Sequence, residues 1–101
     1  MEVKYIGFWE YDRKDIYKVF DIEKELMPLY ENDPEGWRKK YGKFIEGYWL
    51  GMEPKGFSIF EFDEPQQMIN LDVAYWPYKK FKFVPLFDHD QVIETYKERS
   101  K

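Results

Sequence analysis

Residues 3–11 alternate in a way that makes both faces of an extended chain apolar at the centre. Val3, Tyr5, Gly7, Trp9 and Tyr11 share one side, and Ile6 and Phe8 sit between Lys4 and Glu10 on the other. A β-branched and aromatic run of this kind predicts a strand covered on both sides. The period then changes. Ile16, Val19, Phe20, Leu26, Met27 and Tyr30 recur by threes and fours, which predicts an amphipathic helix over residues 13–30. Asp12 is placed to cap it, Asp15 suits its first turn, and Pro28 is placed to kink or shorten it. A short second helix is predicted from Pro34, with Asp33 as N-cap, Arg38, Lys39 and Lys40 in the last turn, and Gly42 to end it.

Residues 43–50 and 57–62 read as two more strands joined by the turn Gly51-Met-Glu-Pro-Lys-Gly56, with Gly47 marking a bulge. Asp63-Glu-Pro-Gln66 carries an N-cap, a first-turn proline and a glutamine spaced for a capping box. A helix is therefore predicted from there to about Tyr75, stopping before Pro77. A fourth strand is predicted over residues 79–87, where Pro85 suits an edge or a bulge. A polar helix over 90–99 follows, with Val92, Ile93 and Tyr96 on its inner side. The order β-α-β-β-α-β with a terminal helix is the split βαβ arrangement: an α+β, ferredoxin-like fold with a four-stranded antiparallel sheet. Helices on one face leave the other bare. Since the strands are apolar on both sides, the bare face is expected to meet its own copy, giving a homodimer through the sheet.

Composition narrows the function classes. The 101 residues suit one domain spanning 1–101, and a chain 44% hydrophobic and 22% aromatic is no disordered segment. No apolar run has the length of a membrane helix, and the first residues do not read as a signal peptide, so a soluble, cytoplasmic protein without membrane contact is expected. The chain has no Cys, which removes disulfides and thiolate metal sites. A net charge of −4 has the wrong sign for a default nucleic-acid binder. Glu and Lys abound while Ser, Thr, Asn and Gln are scarce, the bias expected of a thermophile. So many rings on so short a chain imply that some apolar area faces a ligand or a partner subunit.

Over nearly its whole length the chain resembles an uncharacterised family of small prokaryotic proteins in the dimeric α+β barrel superfamily. The residues that carry the likeness are Tyr5-Ile6, Phe8-Trp9-Glu10-Tyr11-Asp12, Gly56-Phe57-Ser58-Ile59-Phe60-Glu61 and Phe81-Lys-Phe-Val-Pro85-Leu-Phe87. They are scaffold features. The resemblance implies the fold, the dimer and a pocket between sheet and helices. Branches of that superfamily oxidise, isomerise, degrade or sense small molecules, and none of their catalytic motifs can be placed here.

Glu23 is the sharpest anomaly, because it falls in the middle of the first helix's apolar stripe. A buried carboxylate is costly unless paired or protonated. It is either an acid, base or ligand anchor in a pocket, or a carboxylate satisfied within the core. Asp72 repeats the pattern more weakly on the later helix: either the two carboxylates share a cavity, the helices lying side by side, or Asp72 is a solvated carboxylate. Trp9, Trp49 and Trp76, with Tyr5, Tyr48 and Tyr75, suit the walls of a site for a flat, partly polar ligand, or else a core or dimer interface. His89, the one histidine, lies between Asp88 and Asp90 and reads as a loop residue beside a helix cap, with a proton shuttle at a pocket mouth as the alternative. Ser58 and Ser100 have no nucleophile-elbow context. Gly51 and Gly56 have P-loop spacing, yet Phe57 stands where the lysine belongs. Arg38, Lys39, Lys40 and Lys43 read as a helix terminus, and Lys79, Lys80 and Lys82 as a solvated face. The expectation is a protein that binds a small hydrophobic or aromatic molecule, without cofactor or metal, at Glu23, Trp9, Trp49, Asp72 and Trp76. A cofactor-independent enzyme, monooxygenase-like or isomerase-like and using Glu23, a ligand sensor and a dimeric scaffold without ligand are the alternatives.

Overall fold

Between residues 3 and 99, the part of the chain that the computed structural model describes, nine elements follow one another. They are β1 (Val3–Tyr11), a 3-10 turn (Arg13–Asp15), α1 (Ile16–Asn32), α2 (Pro34–Tyr41), β2 (Lys43–Trp49), β3 (Lys55–Phe62), α3 (Pro65–Ala74), β4 (Lys79–Pro85) and α4 (His89–Arg99). The strands form one antiparallel sheet in the order β2-β3-β1-β4, so the chain is an α+β fold with β1 and β3 in the centre. β4 is an edge, consistent with its terminal Pro85. No helix among the described residues is long and apolar enough to cross a membrane.

Several local expectations are corrected. Asp12 starts the 3-10 turn through its backbone carbonyl, which accepts the Asp15 N–H at 2.9 Å, and its side chain caps nothing. Pro28 does not shorten α1, which runs on to Asn32. The bulge in β2 lies at Ile45, between Phe44 and Glu46, and Gly47 keeps its place in the ladder opposite Ser58. This shift has a consequence for the site. Phe44 and Trp49 are an odd number of residues apart and would point to opposite faces of a regular strand. The extra residue puts both opposite helix-facing partners, Phe60 and Gly56. The cap of α3 is also one residue later than its sequence reads: Gln67, in place of Gln66, accepts the Asp63 N–H at 2.6 Å and the Glu64 N–H at 3.4 Å.

Gln67 does more than cap its own helix. It is 3% exposed, and its Nε2 donates to the carbonyls of Arg38 at 3.0 Å and Lys39 at 3.2 Å, while Asn70 donates to that of Lys40 at 2.8 Å. The open carbonyls at the end of α2 are thus closed by α3, and α2 packs against both α1 and α3. Asp33 caps the other end of α2 by accepting the Gly36 N–H at 3.0 Å. Gly42 ends it with φ of +81°, where an added Cβ would press on the Phe62 ring.

The core under the helices is mostly aromatic: Trp9, Tyr11, Tyr41, Phe60, Phe62 and Tyr75, with Val19 and Leu71. The opposite face of the sheet is open. Its middle rows are Glu46-Ile59-Ile6-Val84 and Tyr48-Phe57-Phe8-Lys82 in register, and Phe8 is 45% exposed. Mixed charges bound them, with Glu61 between Lys4 and Lys43 at one end and Glu10 between Lys55 and Lys80 at the other. α4 has no buried residue, so Val92, Ile93 and Tyr96 do not form the inner face expected of them. The chain exposes 7802 Å², whereas a folded monomer of this mass exposes about 6,200 Å². Its radius of gyration is 16.1 Å, against about 13 Å for a compact chain of this length.

Candidate functional site

A cavity of about 520 Å³ opens between α1 and the helix-facing side of the sheet. Strand register explains its walls. Trp9 stands between Gly56 of β3 and Phe81 of β4, and Trp49 of β2 lies beyond Gly56 in the same row. Gly56 leaves the space into which the Trp9 indole lies, since an added Cβ would overlap that ring and the Tyr48 carbonyl. Trp9 and Trp49 then meet edge to face with centroids 5.2 Å apart. Phe44, brought round by the bulge, and Phe60 continue the wall. From α1 come Val19, Phe20, Glu23, Leu26 and Met27, and from α2 Trp37 and Tyr41.

The polar end of the cavity is built around Glu23 and Lys79. Lys79 is the first residue of β4, opposite Tyr11 of β1, on the same side as Phe81 and Phe83. Its side chain is 9% exposed, while that of Glu23 is 43% exposed. The Lys79 Nζ lies 3.4 Å from Glu23 Oε1 and over three rings, at 4.4 Å from the centroid of Tyr75, 4.8 Å from Trp9 and 5.1 Å from Phe81. Burial lowers the pKa of Lys79 below its ordinary value, and Glu23, by charge and hydrogen bond, partly opposes that shift. Tyr75 is pushed well up, first by burial and then by the charge and hydrogen bonding of Glu23. Tyr11 is raised by burial and by the same carboxylate. The Tyr11 hydroxyl is buried without a hydrogen-bond partner in this structure.

The structure brings Glu23, Trp9 and Trp49 together in this cavity, and Tyr75 lines it as well, while Tyr48 only borders it from β2 and packs its ring on Phe57 of the open face. Asp72 and Trp76 are not among its lining residues. The Asp72 carboxylate turns to the edge strand, accepting the Phe81 N–H at 3.2 Å and the Trp76 indole N–H at 3.3 Å. It satisfies an edge N–H that would otherwise invite another strand. Trp76 is 59% exposed. His89 is exposed at the start of α4. Among the described residues no group of three or more His, Cys, Asp or Glu stands together to hold a metal.

Lys79 is the residue the sequence reading missed. Its sequence neighbours suggest a solvated face with Lys80 and Lys82, and the burial of Lys79 corrects this while Lys80 and Lys82 are exposed. The signal was present: strand alternation places Lys79 with Phe81 and Phe83, and Lys80 with Lys82. Compared with protein-family models, curated proteins and solved structures, the chain matches none of them. The family resemblance drawn from its strands gains no support there.

Proposed function

We propose that the chain binds a small hydrophobic or aromatic molecule with one polar group in the cavity between α1 and the sheet. The observation that carries this reading is the pairing of a largely apolar cavity of about 520 Å³ with a charged end at Glu23 and Lys79. Ligand sites for small molecules have volumes of roughly 300–1,000 Å³ and this division of character. The Tyr11 hydroxyl, buried and without partner, is the kind of group a ligand completes. Titration calorimetry with ring compounds such as phenol and benzyl alcohol tests the reading. Saturable binding of one molecule per chain is expected, little changed by salt because the site is largely apolar. Met27→Trp, which adds a ring at the half-exposed α1 wall, should abolish it. No saturable heat with any such compound would end the proposal.

The strand order β2-β3-β1-β4, with helices joining β1 to β2 and β3 to β4, supports the ferredoxin-like reading of the fold. The open sheet face supports a second copy as its cover. The surplus of about 1,600 Å² over a compact monomer is twice what one partner contributes to an interface of standard size. The charges at each end of that face include both signs, so a copy turned by a two-fold axis sets glutamates over lysines.

A further inference from the structure

We propose that Lys79 is a covalent ligand site, an amine that condenses with the carbonyl group of a small aromatic or hydrophobic aldehyde or ketone held in the cavity. This rests on the ligand-site reading above and adds the chemistry of its polar end. Lys79 is the one buried lysine among the described residues, and it lines the cavity. Its nitrogen is enclosed by three rings and loses solvation, with one half-exposed carboxylate to offset that loss, so burial favours the neutral, nucleophilic amine. Tyr11, its neighbour across the strands, lines the same cavity and has a buried hydroxyl free to donate to a carbonyl oxygen. Glu23 reaches both the amine and solvent, which suits a group that passes protons and lets water leave. The lowered pKa of Lys79 agrees with this arrangement.

The chemistry balances without an oxidant or reductant. Glu23 takes one proton from the Lys79 ammonium. The freed nitrogen lone pair attacks the carbonyl carbon, a C–N bond forms, and the π pair moves to the oxygen that Tyr11 holds. A proton passes from nitrogen to that oxygen, giving a carbinolamine. Glu23 then returns its proton to the hydroxyl, the C–O bond breaks, and water leaves an iminium on Lys79. The sum is ammonium plus carbonyl to iminium plus water.

The test is reductive trapping of the whole chain with benzaldehyde and cyanoborohydride at neutral pH, followed by peptide mass mapping. The expected result is one benzyl group per chain on Lys79, added several-fold faster than on exposed lysines, since burial disfavours the ammonium there. Lys79→Met should lose the label, and Tyr11→Phe, which keeps the ring, should slow it several-fold. Benzyl alcohol, with the same ring and no carbonyl, reports the cavity separately through tryptophan fluorescence. Labelling spread evenly over exposed lysines while benzyl alcohol still binds would overturn the amine and leave the ligand site standing. Neither labelling nor alcohol binding would overturn both.

Discussion

Lys79 and Glu23 are unequal partners, and the inequality makes the pair testable residue by residue. Glu23 is near water and can be solvated if its partner is removed, whereas Lys79 is enclosed. Lys79→Met should therefore leave stability near the wild-type value, since a thioether fills the same ring-lined slot and no buried charge remains. Glu23→Gln leaves an enclosed ammonium with a poorer acceptor, and urea unfolding should show a loss of about 1–3 kcal/mol. The pH dependence follows from the directions of the shifts. Lys79 has a folded-state pKa below its ordinary 10.5, so its burial penalises the fold at lower pH. As pH rises through the folded value towards 10.5, the folded chain releases that proton first and the penalty lifts. Tyr75 has the opposite sign: its contribution is present below 10.0 and is lost as pH rises through its raised folded value. Unfolding of the wild type and Lys79→Met at about pH 8 and about pH 10 should show the wild type gaining on the variant at the higher pH. A constant difference would mean that Lys79 titrates normally.

Elements were legible where one local signal decided them. β1 spans Val3–Tyr11 because its alternation admits no other reading, and α2 begins at Pro34 because Asp33 and Pro34 combine two start signals. The errors lie where a partner element decides. Gln66 and Gln67 both fit a capping box by spacing, and the choice falls to Gln67 because its amide also closes the carbonyl end of α2. Gln67→Leu should accordingly cost about 1–3 kcal/mol in denaturant unfolding, more than loss of one cap, since α2 and α3 lose their shared bonds. Gln66→Leu should be near neutral. Similarly, the bulge fell at Ile45 although Gly47 carried the usual signal, because Gly47 meets Ser58 and the Phe44 ring closely and is kept for that space. Helix periodicity places Glu23 on the cavity side, yet it gives no rotation for α3, and the expected place of Asp72 in the cavity is not the one it takes. Lys79 was lost to its neighbours in sequence, although its parity places it among the rings.

At the scale of the molecule, the proposed pairing of two copies rests on three observations. An open sheet face with Phe8, Phe57 and Tyr48 in one row, a helix α4 with nothing buried, and a radius of gyration of 16.1 Å all point the same way. Light scattering at micromolar concentration should give twice the chain mass, and Phe8→Lys, which sets a second charge beside Lys82, should return it to one. A wild-type monomer would contradict the pairing without touching the cavity, which lies on the other side of the sheet. The claim on which the functional account turns is that this cavity admits a ligand. Its tryptophans make the most direct measurement possible. Trp9, Trp37 and Trp49 line the cavity, and Trp76 stands outside it. In a nitrogen–proton correlation spectrum titrated with benzyl alcohol, the indole signals of the first three should shift together and saturate while that of Trp76 stays in place. Four unmoved signals, or four moving alike without saturation, would contradict it.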